Sequence, residues 1–211
     1  VLIGSDAVKQ VYEDKLSWTN LDESIPLINA DDVWAEGYSG AGQVIAILDT
    51  GVEKTHSMLN GKVVSEACYS SNGDFYGYQL ESICPDGVTE STAPNSAMPY
   101  AGSCPVGECE HGTHVAAIAA GTNGVAKDAD IIAMQVFSIV EFYGVASLDS
   151  DQVKALERVY ALRNTYSIAA VNMSLGGGKY SADCDAQDPA RAAIIDTLYT
   201  AGIATIAASG N

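Results

Sequence analysis

Short apolar runs alternate with stretches of helical periodicity along most of this chain. Residues 44–48 are wholly apolar and rich in β-branched side chains, which is typical of a strand buried on both faces of a parallel sheet. Comparable runs occur at residues 131–137, 168–175 and 203–208. Residues 151–164 lie between two of them and carry apolar side chains at helical spacing. The repeated strand–helix–strand order predicts an α/β fold with a mainly parallel central sheet and helices on both faces.

A second helix is indicated by the residues at its two ends. Asp188 is a favoured N-cap residue, and Pro189 suits the first helical position because that position needs no N–H donor. Gly202 stands where a helix would end. The apolar face expected between them consists of Ile194, Ile195, Leu198 and Tyr199.

Residues 65–110 interrupt this alternation and are predicted to be a disulfide-stapled insertion. They contain four of the five cysteines among many Gly, Ser, Pro and Asn residues, and a loop of that length in a compact domain is usually functional or cross-linked. Clustered cysteines indicate disulfides and an oxidising compartment. We expect Cys68–Cys84 and Cys104–Cys109, although four cysteines allow three pairings. A zinc site is the alternative, and the lack of C-x-x-C or Cys/His ligand spacing disfavours it.

Cys184 remains unpaired in this scheme. An odd cysteine in a secreted chain suggests a partner elsewhere, and we expect that partner outside these 211 residues.

The charge balance excludes one class of partner. The chain has 27 acidic and ten basic residues, a net charge of −17, which would repel the phosphates of a nucleic acid. Its apolar runs are all shorter than the roughly 18 to 20 residues that span a bilayer, so we expect no membrane association. A length of 211 residues with 47% hydrophobic residues suffices for one α/β core.

Three polar residues stand where an α/β protein places its chemistry. Asp49 directly follows a predicted central strand, and active sites of such folds lie at the carboxyl ends of the strands. His111 begins an alanine-rich helix pattern and could act as a general base if a carboxylate fixed its tautomer. Asn211 follows the last small-residue strand, and its amide could donate to an oxyanion. His114 lies one helical turn after His111 and is predicted to be a packed or hydrogen-bonded structural histidine.

Taken together, four motifs resemble those of the subtilisin-like serine protease (subtilase) family. They are D-T-G-V from Asp49, H-G-T-H-V-A from His111, N-M-S-L-G-G-G from Asn172 and A-A-S-G-N ending at Asn211. They occur in the family's order, and the resemblance extends from about Leu27 to Asn211. It implies a three-layer subtilisin-like fold, incomplete at the C-terminus, and a serine endopeptidase that acts on extended polypeptides.

The resemblance also implies a role for each matching residue. Asp49 would orient the histidine, His111 would serve as general base and acid, and Asn211 would complete the oxyanion hole. The segment that would pair with extended substrate consists of Ser174, Leu175, Gly176 and Gly177. The family's nucleophilic serine lies well downstream of such an asparagine, so we expect it to be absent from this chain. The 211 residues alone should then be inactive.

Details of the motifs place the chain nearer the proteinase K branch than the bacillary subtilisins. The stretch 124–127 and the three glycines after Leu175 resemble that branch. Met58 stands where the bacillary enzymes carry an aspartate ligand of their strong calcium site, so that site is predicted to be missing. No cofactor is expected to be required, and a structural calcium ion at another, unidentified site remains open.

The resemblance divides the chain into two parts. Residues 8–16 resemble the last strand of the family's inhibitory propeptide, so residues 1–25 are predicted to be the end of a propeptide with a linker, and the propeptide to be a partner. Residues 26–211 would be the N-terminal part of the peptidase domain of a secreted zymogen. The alternative for residues 8–16 is a plain surface strand.

Two other functions fit the same motifs. One is a non-catalytic peptide-binding homologue without a nucleophile, and the other is one chain of a two-part enzyme in which a separate segment supplies the serine. A downstream G-T-S-M-A-like motif in the full open reading frame would support the protease, and its absence would support the binding protein.

Overall fold

The computed structural model describes residues 21–99, 104, 108–177 and 184–209. Its α-helices are α1 (Leu21–Leu27), α2 (Ala30–Ala35), α3 (His111–Ala120), α4 (Asp149–Leu162) and α5 (Pro189–Thr200). Its first five strands are β1 (Val44–Asp49), β2 (Val63–Tyr69), β3 (Gly73–Phe75), β4 (Tyr78–Ser82) and β5 (Glu90–Ser91). The remaining strands are β6 (Asp130–Gln135), β7 (Ser138–Val140), β8 (Gly144–Ala146), β9 (Ile168–Met173) and β10 (Ala204–Ala207).

Six of these strands form the central sheet in the order β10-β9-β1-β6-β2-β5. All neighbouring pairs are parallel except β2 and β5, which are antiparallel. The strand β1 lies near the middle and pairs with β6 from Val44 opposite Asp130 to Asp49 opposite Gln135. The carboxyl end of β1 therefore opens at the centre of one sheet edge, where α/β folds place their active sites.

Helices cover both faces of this sheet, which confirms the predicted three-layer α/β fold. On one face, α4 and α5 contribute Leu156 and Leu198, both fully buried, to a core that also contains Ala46 and Leu48 of β1. On the other face, alanines of α3 pack with Ile47 of β1. Successive residues of β1 thus serve opposite cores, which explains why the strand is apolar throughout.

The helix α5 begins and ends where the sequence indicates. The Asp188 side chain accepts a hydrogen bond from the Arg191 backbone N–H at 3.4 Å, and Pro189 is the first helical residue. The Arg191 guanidinium also donates to Asp149 at 2.8 Å, which links the starts of α5 and α4. Gly202 follows the helix with a φ of 82°, the left-handed conformation typical of a residue just after a helix.

The predicted insertion needs a correction at its beginning. Residues 63–69 form β2, a strand of the central sheet that pairs with β6, so the segment from residue 65 to 69 belongs to the core. The sequence hid this strand because Ser65 and Glu66 interrupt its apolar pattern. Glu66 is accommodated by an ion pair with Lys54. Residues 90–91 also join the central sheet as β5.

The middle of the predicted insertion contributes to a second, smaller sheet. This sheet is antiparallel, has the order β3-β4-β7-β8, and combines β3 and β4 with two strands that follow β6. Two aromatic residues in its turns have left-handed backbones, Tyr76 with φ 53° and Phe142 with φ 68°. That conformation costs an L-residue with a bulky side chain about 1–2 kcal/mol.

The two expected disulfides, Cys68–Cys84 and Cys104–Cys109, are both present. Cys68–Cys84 is fully buried and joins β2 of the central sheet to the end of β4 in the second sheet. Cys184 has no disulfide partner among the described residues. The Cys68–Cys84 disulfide therefore connects the two sheets covalently.

Removing the buried bridge is expected to destabilise the protein. The Cys68→Ser, Cys84→Ser variant frees a loop of 16 residues and should lower the free energy of unfolding by about 3 kcal/mol, because the unfolded chain regains loop entropy. Urea unfolding followed by circular dichroism measures this loss. The matched control is Cys184→Ser, which removes a half-buried free thiol and should cost less than about 1 kcal/mol. An equal loss in both variants would contradict the assigned role of the bridge.

The helix α1 crosses the predicted boundary at residue 25, while residues 8–16, assigned to the propeptide, lie outside the described residues. Within the described part of the chain, no helix is both long and apolar enough to cross a membrane.

Candidate active site

Asp49 is the last residue of β1 and is fully buried. It pairs with Gln135 of β6 on one side. On the other side, Ile47 pairs with Asn172 of β9, so continuing the register puts Asp49 level with Ser174. Three neighbouring strands therefore end around this carboxylate.

His111 is the first residue of α3, and its ring reaches the carboxylate across 62 sequence positions. The distance from His111 Nδ1 to Asp49 Oδ1 is 2.8 Å, which confirms the expectation that the two side chains lie within hydrogen-bond range. The His111 side chain is 52% exposed while the Asp49 side chain is 0% exposed. When Asp49 is ionised, Nδ1 carries the proton that it donates, and Nε2 keeps a lone pair that can accept one.

The surroundings of Asp49 act on its pKa in opposite directions. Burial raises the pKa of Asp49 above its ordinary value, and this effect prevails over the lowering by the bonds from His111 and from the Thr50 backbone N–H at 2.7 Å. The second oxygen, Oδ2, is buried without a hydrogen-bond partner in the described structure. The folded protein therefore favours the neutral carboxyl more than the unfolded chain does, and holding the charged form at neutral pH costs stability.

Thr50 fixes the start of α3 relative to β1. Its hydroxyl donates to the Cys109 carbonyl at 3.0 Å and accepts from the Gly112 backbone N–H at 3.0 Å. Thr50 is 2% exposed, so water cannot readily replace these bonds. The two bonded residues lie on either side of His111, and Cys109 is also held by its disulfide to Cys104. Thr50 thereby holds the backbone that carries the histidine.

Gly112 allows α3 to approach β1 closely. A Cβ atom at this position would lie 2.2 Å from the Gly51 carbonyl oxygen and 3.0 Å from Asp49 Cβ. Neither Thr50 nor Gly112 is predicted from the sequence to have a role in the site. The only signal was their position inside the D-T-G and H-G-T-H motifs, because the contact between them joins distant segments.

The Thr50→Val variant is expected to lose about 2 kcal/mol of unfolding free energy. Valine has nearly the same shape but leaves the Gly112 N–H and the Cys109 carbonyl without this partner in a buried place, which costs about 1–3 kcal/mol per buried group. Chemical denaturation measures the loss, and Thr50→Ser, which keeps the hydroxyl, should retain most of the stability. If Thr50→Ser lost as much as Thr50→Val, the methyl group would be responsible rather than the two hydrogen bonds.

The segment predicted to pair with substrate leaves the sheet beside Asp49. Residues 174–177 directly follow β9, and Gly176 and Gly177 are exposed while Ser174 and Leu175 are half-buried. The Ser174 hydroxyl accepts a hydrogen bond from the Asn172 side chain at 2.9 Å. Exposed backbone at the end of a sheet strand can bind another extended chain.

The remaining predicted residues have different outcomes. Asn211 lies outside the described residues, so its role in an oxyanion hole stays a prediction.

The expectation for His114 was wrong, because its side chain is exposed and the described structure shows no hydrogen bond to its ring. Small residues occupy the buried face of α3, and they are Gly112, Ala116, Ala117 and Ala120. Among the described residues, no group of three or more His, Cys, Asp or Glu side chains could hold a metal ion.

Comparison with known proteins gives this geometry a family context. The model of the subtilase family matches residues 40–211. Subtilisin DY of Bacillus licheniformis is 32% identical over 190 residues, which cover 89% of this chain and 54% of that protein. The minor extracellular protease Vpr of Bacillus subtilis is 29% identical over 205 residues, covering 95% of this chain and 21% of Vpr. The chain thus spans about half the length of subtilisin DY and about a fifth of the length of Vpr.

The fold agrees with this match. The solved structure of the S41 psychrophilic protease superposes with a TM-score of 0.54 at 26% identity, covering 82% of this chain and 47% of the other. The placement nearer the proteinase K branch stays a prediction. With the family model matching most of the chain and the Asp49–His111 contact present at the sheet edge, the chain belongs to the subtilase family of serine proteases.

Proposed function

We propose that this chain forms the aspartate and histidine half of the active site of a serine endopeptidase. The observation that carries the proposal is the 2.8 Å contact between His111 Nδ1 and Asp49 Oδ1 at the carboxyl edge of the central sheet. A buried carboxylate that orients a half-exposed imidazole is the arrangement that activates a hydroxyl nucleophile. Family membership supports the reaction class.

In the proposed mechanism, His111 moves the protons and Asp49 holds it in place. His111 Nε2 takes the proton of a serine hydroxyl as the oxygen attacks the scissile carbonyl, and then gives that proton to the leaving amine. Asp49 keeps the proton of the imidazole on Nδ1 and stabilises the imidazolium that forms. The Asn211 amide would donate to the oxyanion of the tetrahedral intermediate.

We place the nucleophilic serine outside residues 1–211. Within the described residues, Asp49 is the side chain hydrogen-bonded to the His111 ring, and no serine hydroxyl is bonded to it. The family motif A-A-S-G-N at the end of the chain supports this placement, because the serine motif follows it in the family.

The proposed substrate is an extended polypeptide that adds a strand beside residues 174–177. The exposed backbone of Gly176 and Gly177 supports this mode of binding, as does the register of β9, which when continued brings Ser174, at the start of this segment, level with Asp49. Secretion as a zymogen with residues 8–16 in its propeptide completes the proposal. Two disulfides support an oxidising compartment, and the relative Vpr is an extracellular protease by name.

Labelling of the full-length protein with a fluorophosphonate tests the proposal. Such a reagent reacts with a serine hydroxyl only where a neighbouring base activates it. We expect one labelled serine, located beyond residue 211 by peptide mass spectrometry, together with hydrolysis of a fluorogenic peptide. The label should disappear in His111→Ala and persist in His56→Ala, an exposed histidine outside the site.

Two results would contradict the proposal. Peptide binding without labelling or cleavage would favour the non-catalytic homologue. Labelling of a serine on a separate polypeptide would favour the two-part enzyme.

A further inference from the structure

The turns of the second sheet bring five aromatic side chains together at one end of that sheet. We define the aromatic patch as Phe75, Tyr76, Tyr78, Phe142 and Tyr143. All five are exposed, and Tyr76 and Phe142 reach 89% and 92%. Tyr78 and Tyr143 meet edge to face across the two hairpins with ring centroids 5.4 Å apart. Phe75 and Tyr76 make a similar contact at 4.8 Å, and Phe75 pairs with Tyr78 across the first hairpin. Phe142 precedes Tyr143 in the adjacent turn, so all five aromatic residues lie in or beside the two neighbouring turns.

The fold does not require aromatic residues at the two most exposed positions. Tyr76 and Gly77 are the central residues of the β3–β4 turn, and both have positive φ, which is the conformation that Asn-Gly adopts most easily. Phe142 has positive φ in the β7–β8 turn, which the hydrogen bond from the Tyr143 N–H to the Val140 carbonyl closes. The backbone at Tyr76 and Phe142 is therefore strained, and neither ring gains burial in return in the described structure.

The charge around the patch is entirely negative in the chain segments that build it. No Lys or Arg occurs in residues 63–126 or 128–153. Asp74 lies two residues before Tyr76, Glu141 directly precedes Phe142, and both acidic residues are exposed. Glu108 lies against the β7–β8 hairpin, with its Oε2 atom 2.6 Å from where a Cβ at Gly144 would be. Aromatic faces and carboxylates both attract cations, and the pair is complementary to Lys and Arg side chains.

We infer that the aromatic patch binds a polypeptide segment that carries lysine or arginine. An anionic lipid surface would be repelled by Asp74, Glu108 and Glu141, and a second copy of this patch would bring the same charges together. Cationic side chains would lie over the Tyr and Phe rings with their aliphatic parts packed on them, while the carboxylates set the preference for positive charge.

The position of the patch relates it to the proposed proteolysis. The strand β7 begins three residues after Gln135, the partner of Asp49 in the central sheet. Phe142 follows Gln135 by seven residues, which limits their separation to about 25 Å. If the proposed function is right, the patch is a second contact for basic polypeptide substrates outside the catalytic cleft. The binding itself does not depend on catalysis.

Fluorescence anisotropy with the full chain tests the inference. The probe is a fluorescein-labelled 12-residue peptide of alternating Lys and Gly, and the His111→Ala background prevents any cleavage. The Tyr76→Asn, Phe142→Asn variant should raise the Kd at least tenfold. Its Tm should stay equal or rise by roughly 2–4 °C, because Asn tolerates positive φ better. Glu141→Gln, which changes no ring, should raise the Kd about threefold, and 500 mM salt should weaken wild-type binding.

The controls separate this patch from general attraction to an acidic protein. Tyr38→Asn removes an aromatic residue that is 71% exposed elsewhere and should leave the Kd within twofold. A peptide with Gln in place of Lys should bind at least tenfold more weakly. Cleavage of a short neutral peptide by the His111-containing protein should be unchanged in Tyr76→Asn, Phe142→Asn, so a failure of the patch and a failure of the proposed protease are distinguishable.

Several outcomes would overturn the inference. They are an unchanged Kd in the double variant, an equal loss in Tyr38→Asn, or equal binding of the Gln peptide. Binding of a labelled oligosaccharide or of phosphatidylserine vesicles in place of the Lys peptide would assign the patch to another ligand.

Discussion

The His111→Ala variant of the full-length protein is expected to hydrolyse peptides with a kcat about 10⁶-fold lower than the parent, the size found when a triad histidine is deleted. The reason is geometric: His111 is the described side chain bonded to Asp49, and no other described histidine is placed to accept the serine proton there. KM should change little, because the imidazole contributes to proton transfer in the transition state rather than to uniform binding of substrate.

Steady-state kinetics with a fluorogenic peptide measures this loss. The matched control is His56→Ala, an exposed histidine whose Nδ1 accepts a hydrogen bond from the Met58 N–H at 3.3 Å, and its kcat should stay within twofold. A kcat within 100-fold of the parent in His111→Ala would mean that another group accepts the proton. A large rise in KM at unchanged kcat would instead make His111 a substrate-binding residue.

The Gly112→Ala variant is expected to lose more than 3 kcal/mol of unfolding free energy, the range of overpacked buried positions and above. The added Cβ would lie 2.2 Å from the Gly51 carbonyl oxygen, so either α3 or the turn after β1 must move. Both carry the site, since His111 precedes Gly112 and Asp49 precedes Thr50. Displacing the histidine by about 1 Å should lower kcat by about 100-fold in any protein that remains folded.

The clash at Gly112 and the helix propensity of alanine predict stability changes of opposite sign. Alanine favours a helix over glycine by up to about 1 kcal/mol, so without the clash Gly112→Ala would stabilise α3. Urea unfolding distinguishes the two outcomes, and any gain in stability would contradict the close approach. Ala119→Gly, in the same helix without a comparable contact to β1, is the control and should cost about 1 kcal/mol.

The burial of Asp49 illustrates how this site opposes stability. A carboxylate inside the protein with one unpartnered oxygen is costly, and its raised pKa expresses that cost. The stability that the neutral form provides is complete below the unfolded-state pKa of about 3.9 and is lost as the pH rises through the higher folded-state pKa. Keeping Asp49 charged at neutral pH therefore lowers the stability of the fold, a cost that is common at functional sites.

The sequence by itself determined the elements whose cause is local. The wholly apolar run before Asp49 predicted a central parallel strand, because burial on both faces requires every residue to be apolar. Asp188 and Gly202 marked the ends of α5, because capping depends on the conformation of single residues. The clustered cysteines indicated both disulfides, and four motifs indicated the family and the pair of Asp49 and His111.

Only the tertiary structure decided what distant segments do when they meet. It placed β2 in the central sheet, paired with β6, although Glu66 breaks the apolar pattern of the strand, and Lys54 supplies the partner charge for Glu66 there. It revealed that Thr50 and Gly112 set the distance between β1 and α3, and that Tyr78 and Tyr143 meet across two hairpins. Local periodicity reports how a segment folds, whereas strand order and helix packing fix which side chains from remote positions come within contact distance.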